Sequence, residues 1–117
     1  MATVLVVDDD EGVRNITAMI LKQEGHDILQ ASNGLEALMI YSSYRQKIDL
    51  VLTDVDMPQM SGIELTGRIR ARDPSKRILL MTGRAYDDLR YSEDCPMLVK
   101  PFLPDQLITA VDSVLKR

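Results

Sequence analysis

Hydrophobic residues in this chain fall into short unbroken blocks, separated by longer stretches in which they recur every three or four positions. The blocks consist mainly of Val, Leu and Ile. Short continuous runs of such residues are typical of β-strands that are covered on both faces, as in a parallel sheet. They predict strands over residues 4–7, 50–52, 78–81 and 97–99, and a weaker pattern predicts another strand over residues 26–30.

The stretches between the blocks have the spacing of amphipathic helices. Apolar residues at positions 13, 16, 20 and 21 precede a glycine, which commonly ends a helix. A second helix, with apolar residues at 35, 38, 41 and 44, can be capped by Asn33, and a third can be capped by Ser61. A closing helix is predicted over residues 103–115, whereas residues 84–92 are polar and predict only a short helix or an irregular loop.

Five strands that alternate with helices predict an α/β fold, with a doubly wound parallel sheet and helices on both of its faces. A chain of 117 residues is long enough for one domain with a substantial core and too short for two, so residues 1–117 are predicted to form a single domain. If the strands lie in the order 2-1-3-4-5, strands one and three are neighbours where the order reverses. Ligands of such sheets bind at that point, outside the carboxyl ends of the strands.

The composition narrows the functions that such a domain can have. With 14 Lys and Arg against 18 Asp and Glu, the formal net charge is −4, so direct binding of nucleic acid through clustered basic residues is not expected. The single Cys95 and the single His26 exclude an internal disulfide and a zinc site built from cysteine or histidine. No apolar run approaches the roughly 20 residues of a membrane helix, and no signal-peptide pattern is found. We therefore expect a soluble, cytoplasmic protein.

Chemically versatile side chains follow four of the predicted strands. Asp8 and Asp9 follow the first strand, Asp54 follows the third, Thr82 follows the fourth and Lys100 follows the fifth. The carboxyl ends of parallel strands meet at one edge of the sheet. These side chains are therefore expected to converge on one crevice.

Three carboxylates, a hydroxyl and an ammonium in one crevice point to phosphoryl chemistry. Crowded carboxylates resist ionisation unless a cation joins them, and the small hard cation that prefers oxygen ligands and keeps some of its waters is Mg²⁺. An aspartate can then attack phosphorus and form an aspartyl phosphate. The metal, the lysine and the hydroxyl would neutralise or hydrogen-bond the phosphoryl oxygens. The sequence therefore predicts a phosphoryl acceptor site.

Together, four motifs of the chain resemble the receiver domain of two-component response regulators. They are residues 6–9 (Val-Val-Asp-Asp), residues 53–58 (Thr-Asp-Val-Asp-Met-Pro) with Ser61 and Gly62, residues 81–83 (Met-Thr-Gly) and residues 100–102 (Lys-Pro-Phe). The motifs occur in the order and spacing of that family, and the resemblance covers essentially the whole chain. It implies a flavodoxin-like sheet of order 2-1-3-4-5.

The resemblance also implies a role for each acidic residue. Asp54 would take a phosphoryl group from the phosphohistidine of a histidine kinase or of a histidine phosphotransfer domain. Asp9 and Asp54 would bind Mg²⁺ directly, together with the backbone carbonyl of Asp56, and Asp8 would act mostly through a metal-bound water; Mn²⁺ is an alternative ion. By this resemblance the protein is no enzyme beyond its own phosphorylation and slow dephosphorylation. It would signal by changing its protein contacts.

Other motif residues are implied to bind the phosphoryl group and to act as the switch. Lys100 would pair with Asp54 and then with the phosphoryl group, and the Lys100–Pro101 bond is expected to be cis. Thr82, followed by Gly83, would move toward the phosphoryl oxygens.

Two features depart from the family's usual pattern. The family usually has Tyr or Phe three residues before the lysine, as the rotamer partner of the switch threonine, whereas this chain has Met97. The segment between Thr82 and Lys100 is also a few residues shorter than usual, so the fourth helix of the family is expected to be short or irregular here. Receivers attached to hybrid histidine kinases often have these features, and the chain is expected to be of that kind.

A separate hypothesis concerns the mouth of the site. Asp56 and Arg84 lie two residues beyond Asp54 and Thr82, where they could form an ion pair or hinder the attacking water. We therefore predict a moderately long-lived phosphoryl group on Asp54.

Two other functions stay open on sequence alone. The run from Asp54 to Asp56 also resembles the nucleophile motif of haloacid-dehalogenase-type phosphatases, although those enzymes usually begin with this motif, have Thr or Val at the position of Pro58, and carry their second acid pair downstream. The third reading is a docking module that keeps the receiver fold without phosphorylation. Met97 and the short fourth helix favour that reading, and the complete set of acidic residues argues against it.

Overall fold

The central sheet of the molecule consists of five parallel strands joined by helices. In the computed structural model, which describes residues 2–83 and 95–116, the elements are β1 (Thr3–Val7), α1 (Glu11–Gln23), β2 (Asp27–Ala31), α2 (Gly34–Tyr44), β3 (Leu50–Asp54), α3 (Gly62–Arg72), β4 (Arg77–Thr82), β5 (Met97–Val99) and α4 (Pro104–Leu115). The strands lie in the order β2-β1-β3-β4-β5, and all four neighbouring pairs are parallel. The predicted flavodoxin-like fold is confirmed.

Each face of the sheet carries its own hydrophobic layer, because successive residues of a strand point to opposite sides. Leu5 and Val7 of β1 pack with side chains of α2 and α3, whereas Val4 and Val6 pack with side chains of α1 and α4. The central strand β3 is buried along its whole length. Burial on both faces is the physical reason for the unbroken apolar blocks in the sequence.

Polar side chains fix where three of the helices begin. Asp10, Asn33 and Ser61 each accept a hydrogen bond from the backbone amide three residues later, which satisfies a donor that the helix itself leaves without a partner. At the other end of α1, Gly25 adopts a φ of 91°. A residue with a Cβ atom rarely takes that conformation, so glycine suits this helix end.

The second strand and the second helix differ in detail from the sequence-based expectation. β2 covers Asp27–Ala31, one residue later than predicted, because pairing with β1 begins at Asp27. In α2, Tyr41 is fully buried, but Leu35 and Tyr44 are exposed. The apolar residues of α2 itself are spread over all sides of the helix, so their spacing in the sequence could not indicate which side is buried.

The strand order reverses between β1 and β3, which places the carboxyl ends of these two strands beside a crevice. Residues 84–94, between β4 and β5, lie outside the described part of the chain. The expected short fourth helix and the role of Arg84 therefore stay predictions. None of the helices that the structure describes is long and apolar enough to cross a membrane.

Candidate functional site

Three aspartate carboxylates lie together at the carboxyl edge of the sheet. Asp54 is the last residue of β3, and Asp8 and Asp9 directly follow β1. One carboxylate oxygen of each residue lies within 4.8 Å of those of the other two. Asp8 and Asp54 are buried, whereas Asp9 is exposed. The cluster is thus open to solvent on the side of Asp9.

Lys100 brings a positive charge against two of these carboxylates. Its Nζ atom lies 2.8 Å from Asp8 Oδ2 and 3.3 Å from Asp54 Oδ1. The backbone amide of Lys100 donates a hydrogen bond of 2.7 Å to the Thr82 carbonyl, and the Lys100–Pro101 peptide bond is cis. Lys100, directly after β5, therefore reaches the acids at the carboxyl ends of β1 and β3.

Thr82 ends β4 next to the end of β3. It is fully buried, and in the register of the sheet it lies opposite Val99, while Asp54 lies opposite Met81. Gly83 follows and is exposed. The structure therefore brings the predicted strand-end residues to one edge of the sheet.

The charges of these side chains do not balance. Burial raises the pKa of Asp54 to about 6; Lys100 opposes this shift, and the charges of Asp8 and Asp9 add to it. Burial also lowers the pKa of Lys100, but its hydrogen bond to Asp8 and the charges of Asp8 and Asp54 outweigh burial and hold that pKa above its usual value. One ammonium thus fails to offset three carboxylates, and the excess charge is negative.

The cluster fits a small divalent cation. Its donor atoms are carboxylate oxygens, which Mg²⁺ prefers, and its open side leaves room for the waters that Mg²⁺ keeps. Among the residues that the structure describes, Asp8, Asp9 and Asp54 are the one group of three or more acidic, histidine or cysteine side chains close enough together to share a metal ion. Bound there, a cation would supply the charge that Lys100 leaves uncompensated.

Gly62 lets α3 begin directly against the end of β3. A Cβ atom at this position would lie 2.1 Å from the carbonyl oxygen of Asp54, far inside van der Waals contact. The Gly62 amide also donates a hydrogen bond of 2.9 Å to the Val55 carbonyl. The sequence motif contained this glycine, but the close approach that requires it is visible only in the fold.

The other candidate residues lie around the cluster. Asp56 is exposed in the segment after β3. Met97 is half-buried in β5 and packs on the side of the sheet that α2 and α3 cover. Arg84 is outside the described residues. Cys95, the single cysteine of the chain, is buried in the same hydrophobic layer as Met97.

Two contacts at the site were not indicated by the sequence pattern. Arg14 of α1 donates from Nη1 to the Asp8 carbonyl oxygen at 2.9 Å and from Nε to Gln30 Oε1 at 3.2 Å. The one signal in the sequence was a basic residue near the beginning of a helix, where a cation is electrostatically unfavourable.

Comparison with known proteins agrees with this geometry. The family model for the response regulator receiver domain matches residues 4–112. Sporulation initiation phosphotransferase F of Bacillus subtilis is 36% identical in an alignment of 118 positions, which covers 96% of this chain and 92% of that protein. The sensor kinase CckA of Brucella abortus is 33% identical in an alignment of 122 positions, which covers 99% of this chain but 13% of that protein. Similarity thus extends both to a protein of nearly the same length and to one segment of a much longer kinase.

A solved structure shows the same relationship in three dimensions. The response regulator protein TrrA of Thermotoga maritima, solved in a complex with Mg²⁺ and BeF, is 35% identical and has a TM-score of 0.87, covering 97% of this chain and 99% of its own. Fold, sequence motifs and the family match therefore lead to one conclusion. The chain belongs to the family of response regulator receiver domains, the phosphoacceptor signalling domains of two-component systems.

Proposed function

We propose that residues 1–117 form one receiver domain whose phosphoryl acceptor is Asp54. The observation that carries this proposal is the cluster in which the carboxylates of Asp8, Asp9 and Asp54 lie within 4.8 Å of one another, with Lys100 Nζ 3.3 Å from Asp54. The family match supports a histidine kinase or a histidine phosphotransfer domain as the donor of the phosphoryl group. The similarity to the solved receiver domain of the hybrid histidine kinase CckA, with a TM-score of 0.85 and 29% identity, supports a receiver of the hybrid-kinase kind.

Asp54 is suited to be the nucleophile because the end of β3 holds it beside Lys100 and the carboxylates of Asp8 and Asp9. One of its carboxylate oxygens attacks the phosphorus of the phosphohistidine. A P–O bond forms as the P–N bond breaks, and the imidazole leaves with the electron pair and takes up a proton. Lys100 is close enough to Asp54 to stay with the negative charge as it passes to the phosphoryl oxygens.

Mg²⁺ is the proposed cofactor, with Mn²⁺ as an alternative. Asp9, Asp54 and the backbone carbonyl of Asp56 would hold the ion, and Asp8 would contact it through a bound water. When bound, the ion supplies positive charge that keeps Asp54 ionised beside an anionic donor. The similarity to TrrA, which was solved with Mg²⁺ and BeF, supports this assignment.

Thr82 and Gly83 are proposed to respond to the phosphoryl group. Thr82 is buried at the end of β4, and its carbonyl accepts the hydrogen bond of the Lys100 amide. A movement of the Thr82 backbone is therefore transmitted to Lys100, and a movement of Lys100 to Thr82. The unusual switch position Met97 and the influence of Asp56 and Arg84 on phosphoryl lifetime stay predictions.

The chain is proposed to catalyse only its own phosphorylation and slow dephosphorylation, and to signal through a protein partner. A haloacid-dehalogenase-type phosphatase is disfavoured because the second acid pair comes before Asp54 in the chain, at the end of β1. A docking module that needs no phosphorylation is disfavoured because the acidic cluster is complete. The cytoplasmic location stays a prediction.

Amide NMR and intact mass measurements test the proposal together. With Mg²⁺ and beryllofluoride, we expect amide shifts centred on Asp54, Thr82 and Lys100. Phosphoramidate, a small donor with a P–N bond, should add one phosphoryl group to the wild type and none to Asp54→Asn, which keeps the size of the side chain but not the nucleophile. A wild type that responds to neither reagent would contradict the proposal, and so would a phosphorylated Asp54→Asn variant. Turnover of a small phosphomonoester would revive the phosphatase reading.

A further inference from the structure

Arg14 forms a clamp between α1 and the ends of two strands. Its Nη1 donates a hydrogen bond of 2.9 Å to the backbone carbonyl of Asp8, just beyond β1. Its Nε donates a hydrogen bond of 3.2 Å to Oε1 of Gln30, in β2. Gln30 lies opposite Val6 of β1 in the sheet. The guanidinium group is therefore held by a side chain of β2, and it in turn holds the backbone at the end of β1.

The position of Arg14 is unfavourable on electrostatic grounds, because a cation near the beginning of a helix faces the positive end of the helix dipole. Arg14 bonds to the backbone of Asp8, but within the described residues it makes no ion pair with the carboxylates of the acidic cluster. Both of its hydrogen bonds go to uncharged oxygens, the carbonyl of Asp8 and the amide of Gln30. The contacts therefore indicate a geometric role rather than neutralisation of charge.

The carbonyl that Arg14 holds belongs to the peptide unit between Asp8 and Asp9. That unit is planar, so fixing its oxygen also fixes the direction in which the chain enters Asp9. Asp8 has further support, because its Oδ1 accepts from the Asp10 amide at 2.9 Å and its Oδ2 from Lys100 at 2.8 Å. In the part of the chain that is described, no group donates a hydrogen bond to the exposed carboxylate of Asp9. The placement of Asp9 next to Asp54 thus depends on the backbone.

We propose that Arg14 is a positioning residue of the acidic cluster. It holds the peptide between Asp8 and Asp9 so that the Asp9 carboxylate faces Asp54 before a divalent cation arrives, and Gln30 acts only by orienting Arg14. This inference rests on the proposed function, because it concerns the Mg²⁺ site of that function.

The sign of one effect separates this role from simple electrostatics. Removing a positive charge near a metal site should by itself tighten the binding of a dication. Removing a positioning residue should weaken binding, and losses of such outer partners are typically about 10-fold or more in metal affinity. Arg14→Ala is therefore expected to lower the Mg²⁺ affinity about 10-fold, against the electrostatic trend.

Mg²⁺ titrations followed by calorimetry and by amide shifts of the full chain, with thermal unfolding as a check of folding, test the inference. Arg14→Lys keeps the positive charge but loses the pair of N–H groups that donate in two directions, to Asp8 and to Gln30. This variant should therefore bind Mg²⁺ at least as weakly as Arg14→Ala. Gln30→Ala should have a smaller effect, and the double variant should match Arg14→Ala, because Gln30 acts through the arginine. If Arg14→Ala does not fold, Gln30→Ala and Arg14→Lys carry the same comparison.

Unchanged or tighter Mg²⁺ binding in folded Arg14 variants would overturn the positioning role while leaving the metal site intact. Effects of Arg14→Ala and Gln30→Ala that simply add would also overturn it. A wild type that binds no Mg²⁺, tested beside Asp9→Asn, would instead remove the metal site on which the inference rests.

Discussion

The two edges of the sheet differ in how their carboxylates are compensated by positive charge. At the carboxyl edge, within the described residues, the clustered carboxylates of Asp8, Asp9 and Asp54 share the ammonium of Lys100. At the amino edge, the carboxylate of Asp73 meets two partners. Its oxygens accept from Nε and Nη2 of Arg45, each with a contact of 2.8 Å, and from the hydroxyl of Tyr41. Lys76 completes this amino-edge network by donating to the carbonyl of Ile48 at 2.6 Å.

The pKa shifts follow this difference. Burial raises the pKa of Asp54 to about 6, whereas the hydrogen bonds from Arg45 and Tyr41 lower the pKa of Asp73. Burial and the hydrogen bond to Asp73 raise the pKa of Tyr41, which keeps its proton as the donor. The Asp73 carboxylate is compensated by its partners and supports the fold, while the carboxyl-edge cluster costs stability until a cation joins it. A cluster of acids marks a functional site when its charge is left uncompensated.

The largest expected effect comes from forcing the carboxyl edge apart. Gly62→Ala would place a Cβ atom 2.1 Å from the Asp54 carbonyl oxygen, so Asp54 or α3 must shift. We expect a loss of about 2–3 kcal/mol in the free energy of unfolding, together with weaker Mg²⁺ binding. Urea unfolding and Mg²⁺ titration measure the two effects.

Gly67→Ala is the matched control for that substitution, because it lies on the same helix with no atom within 4 Å of its added Cβ. It should stabilise the chain by up to about 1 kcal/mol through helix propensity and leave Mg²⁺ binding unchanged. Equal effects of the two substitutions would show that Gly62 matters only as a helix residue.

Removing one charge from the carboxyl edge should stabilise the metal-free protein. Asp54→Asn keeps the shape of the side chain and removes a buried carboxylate whose pKa is raised to about 6. We expect a gain of about 2 kcal/mol at pH 7 in the presence of EDTA, measured by urea unfolding. Asp9→Asn, at the exposed member of the cluster, should give a smaller gain. A loss of stability in Asp54→Asn would mean that Lys100 already compensates the cluster.

The uncompensated negative charge around Asp54 predicts an unusual dependence of the folding stability on pH. Folded Asp54 holds its proton more tightly than the unfolded chain, in which an aspartate has a pKa of about 4. Protonation therefore favours the folded state, and stability should rise as the pH falls from 7 through about 6 toward 4. Asp73 acts in the opposite direction and in a lower window, since its contribution is lost only as the pH falls through its lowered pKa.

The difference between wild type and Asp54→Asn, followed from pH 7 to pH 4 in EDTA, isolates this contribution from the other acids. The stability advantage of the variant should shrink as the pH falls. Saturating Mg²⁺ should stabilise the wild type at pH 7 and remove its gain on acidification. Parallel profiles for the two proteins would contradict the raised pKa of Asp54.

Much of the carboxyl edge could be predicted from the sequence because its signals are local. Each apolar block ends directly at a polar residue, so the strand ends at Asp8, Asp54, Thr82 and Lys100 could be placed by pattern alone. Parallel topology then brings residues that are distant in the chain to one edge. Caps such as Asn33 could also be predicted, since they depend on the residues that immediately follow them.

Contacts between elements could not be predicted in the same way. Arg14 and Gln30 are separated by 16 positions, and Tyr41 and Asp73 by 32, and no periodicity connects either pair. In α2 the apolar residues surround the helix, so the pattern could not single out Tyr41 as the buried aromatic. The amino-edge network was therefore absent from the prediction, although its residues are as specific in their geometry as those of the acidic cluster.

The smallest expected effect tests the amino edge alone. Tyr41→Phe removes the hydroxyl that donates to Asp73 and leaves the buried ring in place. We expect a loss of about 1 kcal/mol in the free energy of unfolding, measured by urea unfolding at pH 7. Tyr44→Phe is the control, because Tyr44 is on the same helix and exposed, and it should be neutral.

Mg²⁺ affinity and phosphorylation should be the same in Tyr41→Phe as in the wild type, since the amino-edge network lies at the opposite end of the strands. Asp54→Asn should show the reverse combination, greater metal-free stability with loss of the acceptor. Opposite signs in the two variants would establish that one edge is built to hold the fold and the other to bind a cation. If Tyr41→Phe were stable but bound Mg²⁺ more weakly, the two edges would be coupled through β3. That result would contradict the proposed separation of their roles.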